Sequence, residues 1–98
     1  MEHEIHKVVS FDKVDPFTLR VNFEDGTSQL IDFSPLLRGK LYGPLRDESF
    51  FDRVKLDREV HTLVWPNGAD FDPSVLHDWP QRQASLERLA KKWEQDAA

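Results

Sequence analysis

The chain has 98 residues, 39% hydrophobic and 32% charged, with seven Phe, three Trp and one Tyr, a composition that argues against a disordered chain and allows one modest core. Thirteen basic against eighteen acidic residues leave a formal charge of −5 with no stripe of Lys and Arg, which disfavours autonomous nucleic-acid binding and suits a protein partner with a basic surface. Without cysteine there is no disulfide, thiolate nucleophile or Cys-ligated zinc, and without a signal-peptide pattern or an apolar run of about 20 residues the expected location is the cytoplasm, away from membranes.

Residues 5–11 are rich in β-branched and aromatic side chains and predict a first strand, closed by the turn signal Asp15-Pro16. From Phe17 apolar and polar residues alternate through Glu24, the pattern of a half-buried strand. A two-residue Asp25-Gly26 loop would put Leu19 opposite Asp32. A three-residue loop instead puts Phe17 opposite Phe33, Leu19 opposite Ile31 and Phe23 opposite Thr27, with Val21 opposite Gln29 as the one mismatch. The second register is the expected one, with Gly26 left-handed.

Ser34-Pro35 to Gly39 reads as one helical turn with a serine cap, proline in the first turn and glycine past the end. Asp47 caps a second short helix that turns Phe50, Phe51 and Val54 to one side. Val60 to Trp65 predicts another strand, and Pro66-Asn67-Gly68 repeats the three-residue loop, setting Trp65 opposite Ala69 and Leu63 opposite Phe71. The other face of that hairpin then pairs Val64 with Asp70 and Thr62 with Asp72, giving an acidic rim. Pro80 opens a closing helix with Leu86, Leu89, Ala90, Trp93 and Ala97 on one stripe. The fold class is α+β: a small, mainly antiparallel sheet built from two hairpins, short helices between them and a C-terminal amphipathic helix. The chain divides into a domain over 1–79 and a helical extension over 80–98.

Asp70 and Asp72 share one face of an extended segment near His77 and Asp78, where they would hold a hard cation, a cationic side chain or solvent. Trp79 and Trp93 flank the last helix, either as staples to its own domain or as anchors for a partner. His3 and His6 lack further ligands, so no metal centre or other cofactor is expected. No serine elbow, phosphate loop or oriented histidine is visible, and no enzyme activity is expected.

Four segments carry a family likeness: Leu19 to Gly26, Asp32 to Leu37, Gly43 to Phe51, and Val64 to Asp70. Together, in this order over about residues 5–78, they resemble the bacterial domain of unknown function 2442 family (DUF2442). The resemblance implies a small α+β fold of the kind that, in a fused form, precedes a repressor-like helix-turn-helix. It also implies pairing with a neighbouring small protein in a toxin–antitoxin-like arrangement, and it brings no catalytic residues. The expected function is therefore a non-catalytic protein-binding module using Asp70, Asp72, His77, Trp79 and Trp93, with a homodimer compatible. A regulatory domain acting with a separate DNA-binding chain is the second reading, and a small metal-dependent enzyme at Asp70, Asp72 and His77 the third.

Overall fold

A computed structural model describes residues 6–96. Three antiparallel strands, β1 (Val8–Asp15), β2 (Thr18–Phe23) and β3 (Ser28–Asp32), form one sheet in the order β1-β2-β3. Two 3-10 turns (Ser34–Leu36 and Gly43–Arg46) alternate with the short helices α1 (Gly39–Tyr42) and α2 (Glu48–Phe51). A two-stranded ladder of β4 (Lys55–Asp57) and β5 (Thr62–Val64) follows, then α3 (Pro73–His77) and α4 (Trp79–Asp96). The chain is α+β, as its pattern requires. Among the described residues no helix is long and apolar enough to cross a membrane.

The first hairpin has the expected register: Leu19 faces Ile31, Val21 faces Gln29, and the Phe23 N–H donates to the Thr27 carbonyl across a three-residue loop with Gly26 at φ +88°. The polar partner of Val21 is accommodated because the Gln29 amide reaches over to the His77 carbonyl at 2.7 Å. The second loop is built the same way. Trp65 N–H donates to Ala69 O, Gly68 has φ +89°, and Asn67 accepts the Ala69 N–H as Asp25 accepts that of Thr27. In both loops a short polar side chain closes onto the backbone two residues on, and glycine alone takes the left-handed position without strain.

Several boundaries differ from the sequence expectation. The first strand continues past Phe11 to Asp15, because it pairs with β2 along its whole length through bulges at Val9 and Val14; Ile5 lies outside the described residues. Ser34 is not a cap. Asp32 takes the Ser34 N–H, and Gly39 begins α1 rather than ending the preceding turn. Val60 is outside any strand and 56% exposed, and the ladder partner of β5 is β4, not the segment after the loop.

That segment makes one bridge, Val64 with Asp70, and then turns away, because Asp72 accepts the Ser74 N–H as the cap of α3 with Pro73 in its first turn. Thr62, buried, donates instead to the Phe71 carbonyl. Asp47 caps α2 as expected, and the last helix starts one residue early, at Trp79.

The inner face of the large sheet, Val8, Leu19, Val21, Phe23 and Ile31, packs on a core centred on Phe33. Its ring lies 5.2–6.0 Å from the rings of Phe51, Trp65, Phe71 and Trp79. The Trp65 indole N–H donates to Phe51 O, which satisfies the one polar atom this ring brings inside. Helix α4 lies on α1 and the first 3-10 turn, with Ala90 buried, Leu86 and Trp93 half-buried, and the Trp93 ring stacked on Tyr42 at 5.2 Å. Leu89 of the expected stripe is 46% exposed, and Ala97 lies outside the described residues.

The two outer strands differ as edges. β1 is interrupted by its bulges, carries Lys13 ion-paired to Glu48 and Asp52, and gives the Val8 N–H to His61 O. β3 is straight. The bonds that end its ladder, Phe33 N–H to Phe17 O and Phe23 N–H to Thr27 O, place the odd-numbered residues in the hydrogen-bonded pairs. Ser28, Leu30 and Asp32 therefore turn their backbone groups away from β2.

Candidate functional site

Of the sequence-predicted contact residues, Asp70 and Trp93 meet on Tyr42, while Trp79 is buried. Asp70 is exposed beside the second loop, and its carbonyl accepts the Tyr42 hydroxyl at 2.7 Å. Asp72 is occupied as a helix cap, so the paired-aspartate rim does not exist. Trp79 is 4% exposed and lies among Phe33 and Phe71, the staple position rather than the anchor position. Trp93 is half-buried on Tyr42. His77 alone belongs to an ionisable cluster.

That cluster is assembled from three places in the chain. His77 ends α3 and Asp78 links it to α4; Asp25 comes from the tip of the first hairpin, and His6 from the segment before β1. His77 Nδ1 lies 3.0 Å from Asp78 Oδ1, and Nε2 lies 2.8 Å from Asp25 Oδ2. The His6 ring stacks on that of His77 at 3.7 Å and 13°, and Phe23 meets it edge-on at 5.0 Å. The His77 side chain is 17% exposed. Its position is fixed from behind, since its carbonyl holds Gln29 and the Asp78 N–H returns to Ser74 O.

The electrostatics follow from this geometry. Asp78, and to a smaller degree Asp25, raise the His77 pKa above its ordinary value against the opposing effect of burial. Asp25 is lowered to about 2, first by the Thr27 N–H, then by the Thr27 hydroxyl and by His77. Asp78 is lowered chiefly by its bond to His77, helped by the charges of His6 and Arg82. With a carboxylate on each nitrogen, protonated His77 donates twice and has no free lone pair for general-base work. The arrangement suits holding a proton on His77. The ligand atoms of His6, His77 and Asp78 all lie within 4.8 Å of one another, but the two rings are stacked, so their lone pairs run parallel and do not meet on one ion.

A raised histidine pKa stabilises the fold fully below the unfolded value of 6.5 and loses that contribution as pH climbs through the folded value. The lowered carboxylates contribute above 3.8, and Asp25 loses its part as pH falls towards about 2. The gap in melting temperature between the native chain and His77→Gln is therefore widest between pH 3.8 and 6.5 and shrinks above it. Thermal melts across pH check this; a gap that does not vary with pH refutes it.

Asp25 and His6 were not singled out together with His77 by sequence reasoning, because Asp25 reads only as a turn residue and His6 only as part of a terminal pair with His3. His3 lies outside the described residues. The sequence model of one protein family, described as Protein of unknown function (DUF2442), matches residues 8–81. No curated protein and no solved structure matches the chain.

Proposed function

We propose that this chain, which belongs to the DUF2442 family, is a non-catalytic protein-binding module that takes a strand from a partner onto β3, as the antitoxin-like member of a two-protein system. The open edge of β3 supports this role. Leu30 is 61% exposed, its N–H and C=O point outward, and the strand carries neither proline, lysine nor bulge to discourage pairing, in contrast to β1. Backbone groups of this kind are satisfied by strand addition, with side chains at alternate positions giving specificity.

Exposed Glu24 and Asp25 at one end of β3 and Asp32 at the other favour a partner segment bearing Lys or Arg. The overall charge alone is a weaker guide than its sign suggests. Asp25, Asp32, Asp47, Asp57 and Asp72 each accept the backbone N–H two residues on, so much of the acidity serves turns and caps.

Co-expression with the neighbouring gene product and capture at micromolar concentration tests the proposal. Leu30→Pro removes only an outward N–H, so the expected result is a folded variant that no longer captures the partner. Capture undiminished by both Leu30→Pro and Leu30→Lys excludes β3 as the contact, and no complex with the native chain excludes the role.

A second reading, regulation through a separate DNA-binding chain, has support in the exposed outer face of α4, where Arg88, Lys91 and Lys92 lie together. A gel shift that weakens steeply with salt in the presence of that chain favours it; no shift removes it.

A further inference from the structure

We propose that two copies of this chain pair through β3, antiparallel about a two-fold axis at Leu30, so that their sheets become one. The pairing rests on the open edge that the proposed function also uses, and it needs no other protein. The residues of β3 that turn their N–H and C=O groups outward are Ser28, Leu30 and Asp32, all exposed, whereas Gln29 is tied to the His77 carbonyl and Ile31 is buried. An incoming strand therefore bonds to the even-numbered residues and lays its own side chains beside theirs on the outer face of the sheet. At 61%, Leu30 is the most exposed large hydrophobic residue among those described, and its cross-strand neighbour within the chain is the exposed Arg20.

The sequence of β3 is complementary to itself in one register. With Leu30 opposite Leu30 of the second copy, Ser28 stands opposite Asp32 and Asp32 opposite Ser28, so the exposed apolar side chains cover each other and no like charges meet. The neighbouring registers lack this match. An axis at Asp32 sets two carboxylates face to face, one at Ile31 sets each Leu30 against Asp32, and one at Gln29 sets each Leu30 against Ser28. Such a contact uses the same patch on both copies, so both β3 edges are consumed and no third chain adds. A strand of five residues buries little area, which makes the dimer weak and exchanging, and a partner strand displaces the second copy by competing for the same edge.

Analytical ultracentrifugation of the tag-free chain alone, from about 10 µM to about 1 mM, tests the pairing. The expected result is a reversible monomer–dimer shift that is lost in Leu30→Pro, which removes the N–H on the axis, and in Leu30→Lys, which sets two lysines face to face. Leu30→Lys keeps the test valid if proline perturbs β3. Ser28→Lys, opposite Asp32, tightens the dimer roughly 2- to 10-fold, and Gln83→Lys, the same change of charge on α4, does not. The chain has no cysteine, so Leu30→Cys puts a single thiol on the axis at the Cα spacing of about 5.5 Å that a disulfide accepts. It oxidises to a linked dimer faster than Val60→Cys, which is similarly exposed but away from the edge. Since no partner is present, failure here leaves capture of the neighbouring gene product standing, and failure of that capture leaves the dimer standing. The proposal is overturned if the native chain stays monomeric over the whole range, if neither Leu30→Pro nor Leu30→Lys weakens the dimer, or if the two cysteine variants cross-link at the same rate.

Discussion

Phe33→Ala lowers the free energy of unfolding by about 3–5 kcal/mol. The ring is fully buried and lies against four other aromatic rings drawn from α2, β5's end, the segment before α3 and the start of α4, so its removal leaves a cavity at their centre. A domain of this size holds only about 5–15 kcal/mol in total, which makes the loss a large fraction of its stability. Urea unfolding followed by tryptophan fluorescence measures it. Leu30→Ala, at a 61% exposed position, is the comparison and shifts stability by less than about 0.5 kcal/mol. Equal effects of the two substitutions refute the assignment of Phe33 as the centre of the core.

Gly39→Ala costs about 2–3 kcal/mol, from two sources that act together. Gly39 has φ +81°, a region that costs an L-residue about 1–2 kcal/mol. An added Cβ would also stand 2.9 Å from the Trp93 Cβ and 3.3 Å from the Trp93 carbonyl oxygen, so α4 has to lift from α1. Gly43→Ala provides the contrast. Its φ is −54° and nothing lies closer than 3.9 Å, so the substitution is neutral or stabilises by about 0.4–1 kcal/mol. Urea midpoints of the two variants decide the matter, and a Gly39→Ala protein as stable as Gly43→Ala refutes the close approach.

The parts of the fold that were legible in the sequence are those governed by neighbours along the chain. Loop length followed from requiring Leu19 to face Ile31, and the same test gave Trp65 opposite Ala69; both pairings depend on nothing beyond a period of two and a glycine able to take positive φ. β4 was hidden because Lys55-Leu56-Asp57 is too short to show a period. The helix α3 did leave a trace, since Asp72-Pro73 is a cap followed by proline; the hairpin register holds as far as the Val64–Asp70 bridge and fails only at Asp72.

Of the ionisable cluster only the adjacent His77 and Asp78 were legible. Asp25 and His77 come together only because the first sheet and the α3–α4 junction pack on one another, a relation that no local pattern encodes. Trp79 and Trp93 illustrate the same boundary: either fate was open until the aromatic core was assembled, and it drew Trp79 inside while leaving Trp93 on Tyr42.

The unequal seating of these two rings gives α4 two kinds of opening. Its first residue is part of the central aromatic group, so the start of the helix is held for as long as that group stays packed. The later turns rest on α1 through Ala90 and Trp93, with Leu89 already facing water, so amide exchange is expected to be faster there than beside Trp79. Gly39 and Tyr42 are the two residues that those turns cover, one through the Trp93 backbone and the other through its ring.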